Sequence, residues 1–480
     1  MLFNSFDFGL FMPLVFLLYW LVFNRQSITV RNLFLLVVSY TFYSFWDWRF
    51  VFLLLFSSVA DFVIGLQMHK TPDSNTQRRK LWLYCSLAIN LGILGFFKYY
   101  NFFVDSFVEV FTLFGRDLNY EPLKIILPVG VSFYTFQSLT YIIGVYNHKV
   151  TPTNKFISFL AYVSFFPQLV AGPIERAQYF LPQFFEKKTF DYHNMRTGLL
   201  RIAFGLFKKI VIADRLAVFV NGTYADIPAA GGLPLFVAAL FFAFQLYFDF
   251  SAYSDIAIGS ARLLGFNLRE NFRRPYLSKS FSEFWTRWHI SLSTWFREYV
   301  YFPLGGNRKG KNRTMLNVMI VFLLSGLWHG ASWNFVIWGG VNGLFLIVFD
   351  RIFKLEQPGN LKKYIAPFFV FCSWALSLVF FRSQTFSDAL SVFQNLGFGG
   401  KDLLYNFGLK APELKFAFFL IIGSMLFEWI FEKRGEVLQQ WFYKKTPIIR
   451  WTLYLIIVLS IIYLGSYGSG TDNTFIYFQF

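Results

Sequence analysis

FSEFWTRWHISLSTWFREYVYFPLGGNRKGKNRTMLNVMIVFLLSGLWHGASWNFVIWGGVNG, residues 281–343, holds two of the chain's five histidines, His289 and His329, about forty residues apart. Each follows a tryptophan, and a strongly basic loop lies between them. His329 sits in an apolar run, where an ionisable side chain is costly and usually faces a cavity or pathway. His289 lies in an amphipathic stretch: Glu283, Arg287, Arg297 and Glu298 alternate with Trp285, Trp288, Ile290, Leu292 and Trp295. Such a helix rests at a membrane interface or dips into the protein. A packing histidine is the ordinary alternative for His329, and an interfacial anchor for His289.

The chain around this stretch is built for lipid. Of 480 residues 56% are hydrophobic, 22% aromatic and only 15% charged, with a mean hydropathy of +0.46. Soluble domains carry roughly 25% charged residues. Apolar runs long enough to cross a bilayer as helix recur from end to end, at about 9–23, 32–46, 50–68, 81–100, 124–146, 155–172, 197–220, 232–250, 314–327, 333–350, 364–381, 414–431 and 450–467. The pattern predicts an all-α polytopic membrane protein forming one domain over 1–480. The first run has no basic region before it and no small-residue cleavage site after it, so it reads as a retained helix. Cys85 and Cys372 read as small buried hydrophobes; neither a disulfide nor a zinc site is indicated.

Positive-inside charge accounts for the net +17 more simply than nucleic acid does. The basic segments 69–80 and 267–313 then belong on the cytoplasmic side. Parity requires one run not to cross, and 155–172, interrupted by Pro167, Gly172 and Pro173, is the choice. Twelve crossings and one re-entrant segment place both termini outside, with 465–480 as an external tail.

Chemistry concentrates in the middle of the chain. Gly326 and Gly330 flank His329 and leave room for a substrate; a neutral imidazole there can act as general base on a hydroxyl. His289 can orient a carbonyl or stabilise an oxyanion. Arg269, Arg273, Arg274, Arg308 and Lys309 can receive the phosphates of an acidic donor, positive-inside charge being the simpler account. Trp285, Trp328, Asn334, Asp249 and Asp255 are further candidates for binding substrate or donor. For the two aspartates, pairing with Arg262 or a basic-loop residue is the plainer reading. Tyr477, in the terminal FIYFQF, is an interfacial anchor or an acyl relay.

FFPQLVAGPIERAQYFLPQF (165–184), LYFDFSAYSDIAIGSARLLGF (246–266), FWTRWHISLSTWFREYVYFPLGG (284–306) and LSGLWHGASWNFVIWGGVNG (324–343) resemble, in this order, the membrane-bound O-acyltransferase family. The likeness is strongest to its bacterial alginate O-acetyltransferase branch and more distant to its teichoic-acid D-alanylation branch. It implies a ring of roughly 11–13 helices around a thinned centre with a funnel and a tunnel, and a catalytic core near 120–350. It places the family's signature histidine on His329 and the second polar position on His289. It also implies a bacterial inner-membrane enzyme with no permanently bound cofactor. That enzyme takes acetyl from cytoplasmic acetyl-CoA and hands it to an extracytoplasmic acetyltransferase partner acting on a polysaccharide such as alginate. D-alanylation of teichoic acid and peptidoglycan O-acetylation are the alternatives within this chemistry. A histidine-relay transporter is the rival outside it, disfavoured by the lack of inverted-repeat symmetry.

Overall fold

The computed structural model describes residues 1–116, 120–352, 362–467 and 474–476. The described residues are helical and contain no strand, as an unbroken backbone in hydrocarbon requires. Nine helices among them are long and apolar enough to cross a bilayer, and these match nine of the thirteen expected runs. The protein is an all-α, multi-pass membrane protein.

The helices gather into two compact units: Met1–Arg201 with Ile256–Arg269, and Ile202–Asp255 with Glu270–Phe480. The first unit opens with α1 (Phe6–Leu21), α2 (Ile28–Asp47) and α3 (Arg49–Lys70). Ser5 and Ser27 cap α1 and α2 by accepting from backbone N–H groups of the first turn. Next come α4 (Thr76–Leu94), which runs through a π turn into α5 (Tyr100–Leu113), then α6 (Val131–Tyr146) and α7 (Phe156–Ser164). The chain breaks at Phe165, just ahead of Pro167, so the 155–172 run is not one helix. Polar groups buried here find each other: the Asp61 carboxylate on α3 accepts from the Ser86 hydroxyl and the Asn90 amide on α4.

Two helices pass from one unit into the other, α8 (Tyr192–Leu206) and α10 (Gly232–Leu263). Between them a π turn, Phe207–Ala213, leads into α9 (Asp214–Ala225). At 32 residues α10 is about 48 Å long, more than a bilayer core needs. The second unit continues with the short α11 (Phe281–Arg287) and α12 (Ile290–Phe296), then α13 (Lys311–His329) and α14 (Trp333–Phe345). It closes with α15 (Lys362–Arg382), α16 (Phe386–Asn395), α17 (Ala411–Tyr443) and α18 (Pro447–Leu464). Its core is aromatic, with Phe241, Phe284, Trp288, Trp338 and Trp374 all buried. In contrast α18 buries nothing and presents Ile448, Trp451, Leu455 and Ile462 outward, the composition of a lipid-facing surface.

Candidate active site

His329 is the last residue of α13, where the chain turns through Gly330 and Ser332 caps α14. The two helices form a tight hairpin. A Cβ on Gly326 would lie 2.2 Å from the Phe335 carbonyl oxygen, and one on Gly330 would lie 2.1 Å from the Phe335 ring. The space that the sequence reading leaves for a substrate is therefore filled by α14. These glycines serve to close the hairpin, as small residues do where helices approach in a membrane. The His329 ring is 4% exposed and stands against Trp328 and Trp338, both at 5.0 Å between centroids, and Phe381 at 5.6 Å.

His289 lies between α11 and α12 with φ +41°, a left-handed conformation that a histidine adopts at some cost in strain. Asn271 holds it there. The Ile290 N–H donates to the Asn271 carbonyl at 2.9 Å, and His289 Nδ1 lies 3.3 Å from Asn271 Oδ1. That Oδ1 also accepts from the Ser291 N–H at 3.2 Å and the Ser291 hydroxyl at 2.9 Å. An atom that accepts from a backbone N–H is an oxygen, so Nδ1 must donate to it and carries the proton. Nε2 is then the acceptor nitrogen. Burial in this apolar setting pushes the His289 pKa down to about 3, which keeps the ring neutral. A neutral ring in this tautomer can accept a hydrogen bond at Nε2 from a hydroxyl. It does not supply the N–H that the oxyanion role in the sequence reading needs.

The two imidazole centroids are 6.4 Å apart at 67°, with Trp328 beside both. Two buried donors stand nearby. Neither Trp285 Nε1 nor Trp338 Nε1 has a hydrogen-bond partner among the described residues. Each is a buried N–H that can donate to an acceptor brought to it.

Residues 151–381 match the model of the membrane-bound O-acyltransferase family. The chain is 40% identical to a probable alginate O-acetylase AlgI of Pseudomonas putida over 387 residues, 80% of this chain and 77% of the relative. The chain belongs to the membrane-bound O-acyltransferase family. A peptidoglycan O-acetyltransferase of Helicobacter pylori is 35% identical over 82% of this chain and 79% of its own. A teichoic acid D-alanyltransferase of Bacillus subtilis is 28% identical over 50% and 63%.

The remaining expectations sort out against this O-acyltransferase's structure. Trp285 and Trp328 are aromatic neighbours of the histidines, Trp285 through Trp338 at 6.2 Å. Asn334 turns away to donate to the Ser383 carbonyl at 3.0 Å, tying α14 to the end of α15. Asp249 and Asp255 each pair with a lysine outside the basic loop. Their partners are adjacent lysines on the π turn, Lys209 at 2.7 Å from Asp249 and Lys208 on Asp255. Both carboxylates are thus engaged in ion pairs within the protein. Arg269, in the first unit, stands over the Tyr179 ring at 4.5 Å and 3.6 Å from Glu175. Arg274 pairs with Glu432, while Arg273, Arg308 and Lys309 remain solvent-exposed. Tyr477 lies outside the described residues. Asn271 carries little signal in the sequence, being an uncharged amide in the basic run NLRENFRR (267–274).

Proposed function

We propose that this enzyme moves acetyl from acetyl-CoA at the cytoplasmic face across the inner membrane, for O-acetylation of an extracytoplasmic polysaccharide. The observation that carries this reading is the buried imidazole pair, 6.4 Å apart, with one ring locked neutral. His329 takes the proton of the acceptor hydroxyl, whose oxygen attacks the thioester carbonyl. The C–S bond breaks and the thiolate leaves, to be reprotonated from His329. His289, through Nε2, orients the hydroxyl. The Trp285 and Trp338 N–H groups are the available donors for the carbonyl oxygen as charge develops on it.

Tyr477 serves as an acyl relay in this reading: its phenol accepts the acetyl first and yields it to the final hydroxyl, regaining its proton. An extracytoplasmic partner then completes transfer to the polysaccharide. The relatives support acetyl as the group, two of them being named for O-acetylation, of alginate and of peptidoglycan. Alginate or a similar exopolysaccharide is the favoured acceptor, since the alginate relative has the higher identity of the two.

The test is acetyl transfer from radiolabelled acetyl-CoA by the protein in liposomes, wild type beside His329→Ala. The expected result is a loss of about 10²–10⁴ in rate for the variant. Equal turnover by both removes His329 from the chemistry. No turnover by either, with both well folded, points to a carrier-protein donor of the D-alanylation kind.

A further inference from the structure

The described end of the C-terminal tail is seated on a buried charge cluster far from it in sequence. Lys209 on the π turn, Asp214 at the start of α9 and Asp249 on α10 are 2%, 5% and 3% exposed. The Lys209 ammonium lies 2.8 Å from Asp214 and 2.7 Å from Asp249. Two of its three protons are met in this way. The third goes to the tail, where Lys209 Nζ is 3.2 Å from the Thr474 carbonyl oxygen. The second oxygen of Asp249 likewise accepts from the Ile476 N–H at 2.8 Å. Between these contacts the Phe475 ring is buried edge-on against Tyr253 at 4.7 Å and beneath the Lys209 ammonium at 4.7 Å. The chain entering the tail is fastened to the same turn, Ser466 N–H donating to the Ile210 carbonyl at 3.0 Å.

Removing charges from water is costly unless every one is paired and hydrogen-bonded. Here the pairing is completed only when the backbone of 474–476 is in place. We propose that Lys209 and Asp249 are positioning residues for acyl transfer: they grip the backbone of 474–476, immediately ahead of Tyr477. This rests on the reading of Tyr477 as an acyl relay. Because the grip is on backbone N–H and C=O, it depends on the cluster and on Phe475 rather than on the side chains of Thr474 and Ile476.

Hydrogen exchange of the C-terminal peptide in the full-length protein reads the grip without turnover. In wild type a tail amide exchanges at least ~100-fold slower than an open chain, and Asp249→Asn, Lys209→Gln and Phe475→Ala each abolish that protection. Phe475→Ala leaves the cluster whole, so it serves where the buried-charge variants fail to fold, and unchanged exchange in α10 confirms the fold. The same variant lowers kcat for acetyl transfer at least tenfold and leaves the donor KM unchanged. A tail still protected in the variants overturns the proposal, as does a freed tail with unchanged kcat. Tyr477→Phe separates the underlying reading: full turnover there removes the relay, whatever the exchange data show.

Discussion

Asn271 Oδ1 lies 3.3 Å from His289 Nδ1 while accepting from both the N–H and the hydroxyl of Ser291, and this sets the His289 tautomer. Asn271 therefore decides which imidazole nitrogen is basic. Asn271→Ala frees the tautomer and leaves the Ser291 donors unmet. The expected result is a kcat lowered by about 10-fold or more with donor KM little changed, since outer partners that orient a functional histidine typically contribute on that scale. Asn271→Asp keeps an oxygen acceptor for Nδ1–H, so it retains more activity than Asn271→Ala. It also moves the acid limb of the pH–rate profile upward, because a carboxylate favours the imidazolium. Equal losses in both variants, with no shift of the profile, would remove the tautomer argument.

Trp338 Nε1 is a buried donor with no partner among the described residues, on a ring 5.0 Å from that of His329. Trp338→Phe keeps an aromatic wall and deletes one N–H. If that N–H meets the carbonyl oxygen only as it becomes an oxyanion, kcat falls by about 10²-fold while donor KM holds. A variant that changes KM and leaves kcat alone assigns Trp338 to ground-state packing instead.

The His289 pKa, held near 3 by burial against an ordinary 6.5, has a consequence for stability. Between these values the unfolded chain binds a proton that the folded chain does not. Stability from this group is thus complete above pH 6.5 and falls as pH drops towards 3. His289→Gln removes the titration. As pH is lowered from 7.5 to 5, wild type should lose stability relative to this variant by at most about 1.4 kcal/mol per pH unit. Parallel denaturation midpoints over that range would show that His289 is not held neutral.

What the sequence discloses is what local chemistry determines. Nine membrane runs are visible because apolar length is a local property, and the break ahead of Pro167 is visible because proline acts on its own neighbours. His289 and His329 stand out as ionisable groups in apolar or aromatic surroundings. Partners are another matter. That Asp249 pairs with Lys209 rather than Arg262 depends on a π turn that carries adjacent lysines, Lys208 and Lys209, to α10. Asn271 gains its role only when α12 folds back beside it, and no spacing in the chain records that. Gly326 reads equally as a gap for substrate or a seat for a neighbouring helix, and only the packing of α14 decides.

That packing gives the last prediction. A Cβ on Gly339 of α14 would sit 2.2 Å from the Phe322 carbonyl oxygen of α13, whereas one on Gly340 would sit 3.4 Å from a Leu323 methyl. A backbone oxygen cannot rotate away, but a leucine methyl can. Gly339→Ala must therefore push the hairpin apart, which costs about 1–3 kcal/mol as overpacking. Gly340→Ala gains about 0.5–1 kcal/mol from helix preference and loses little in contacts. Because His329 ends α13 at the closed end of this hairpin, folded Gly339→Ala protein should also lose kcat, the ring being displaced from Trp338. Thermal unfolding in detergent and turnover in liposomes check both parts. If the two alanine variants unfold at the same temperature, the hairpin is looser than a backbone contact allows, and His329 owes its placement to something other than these glycines.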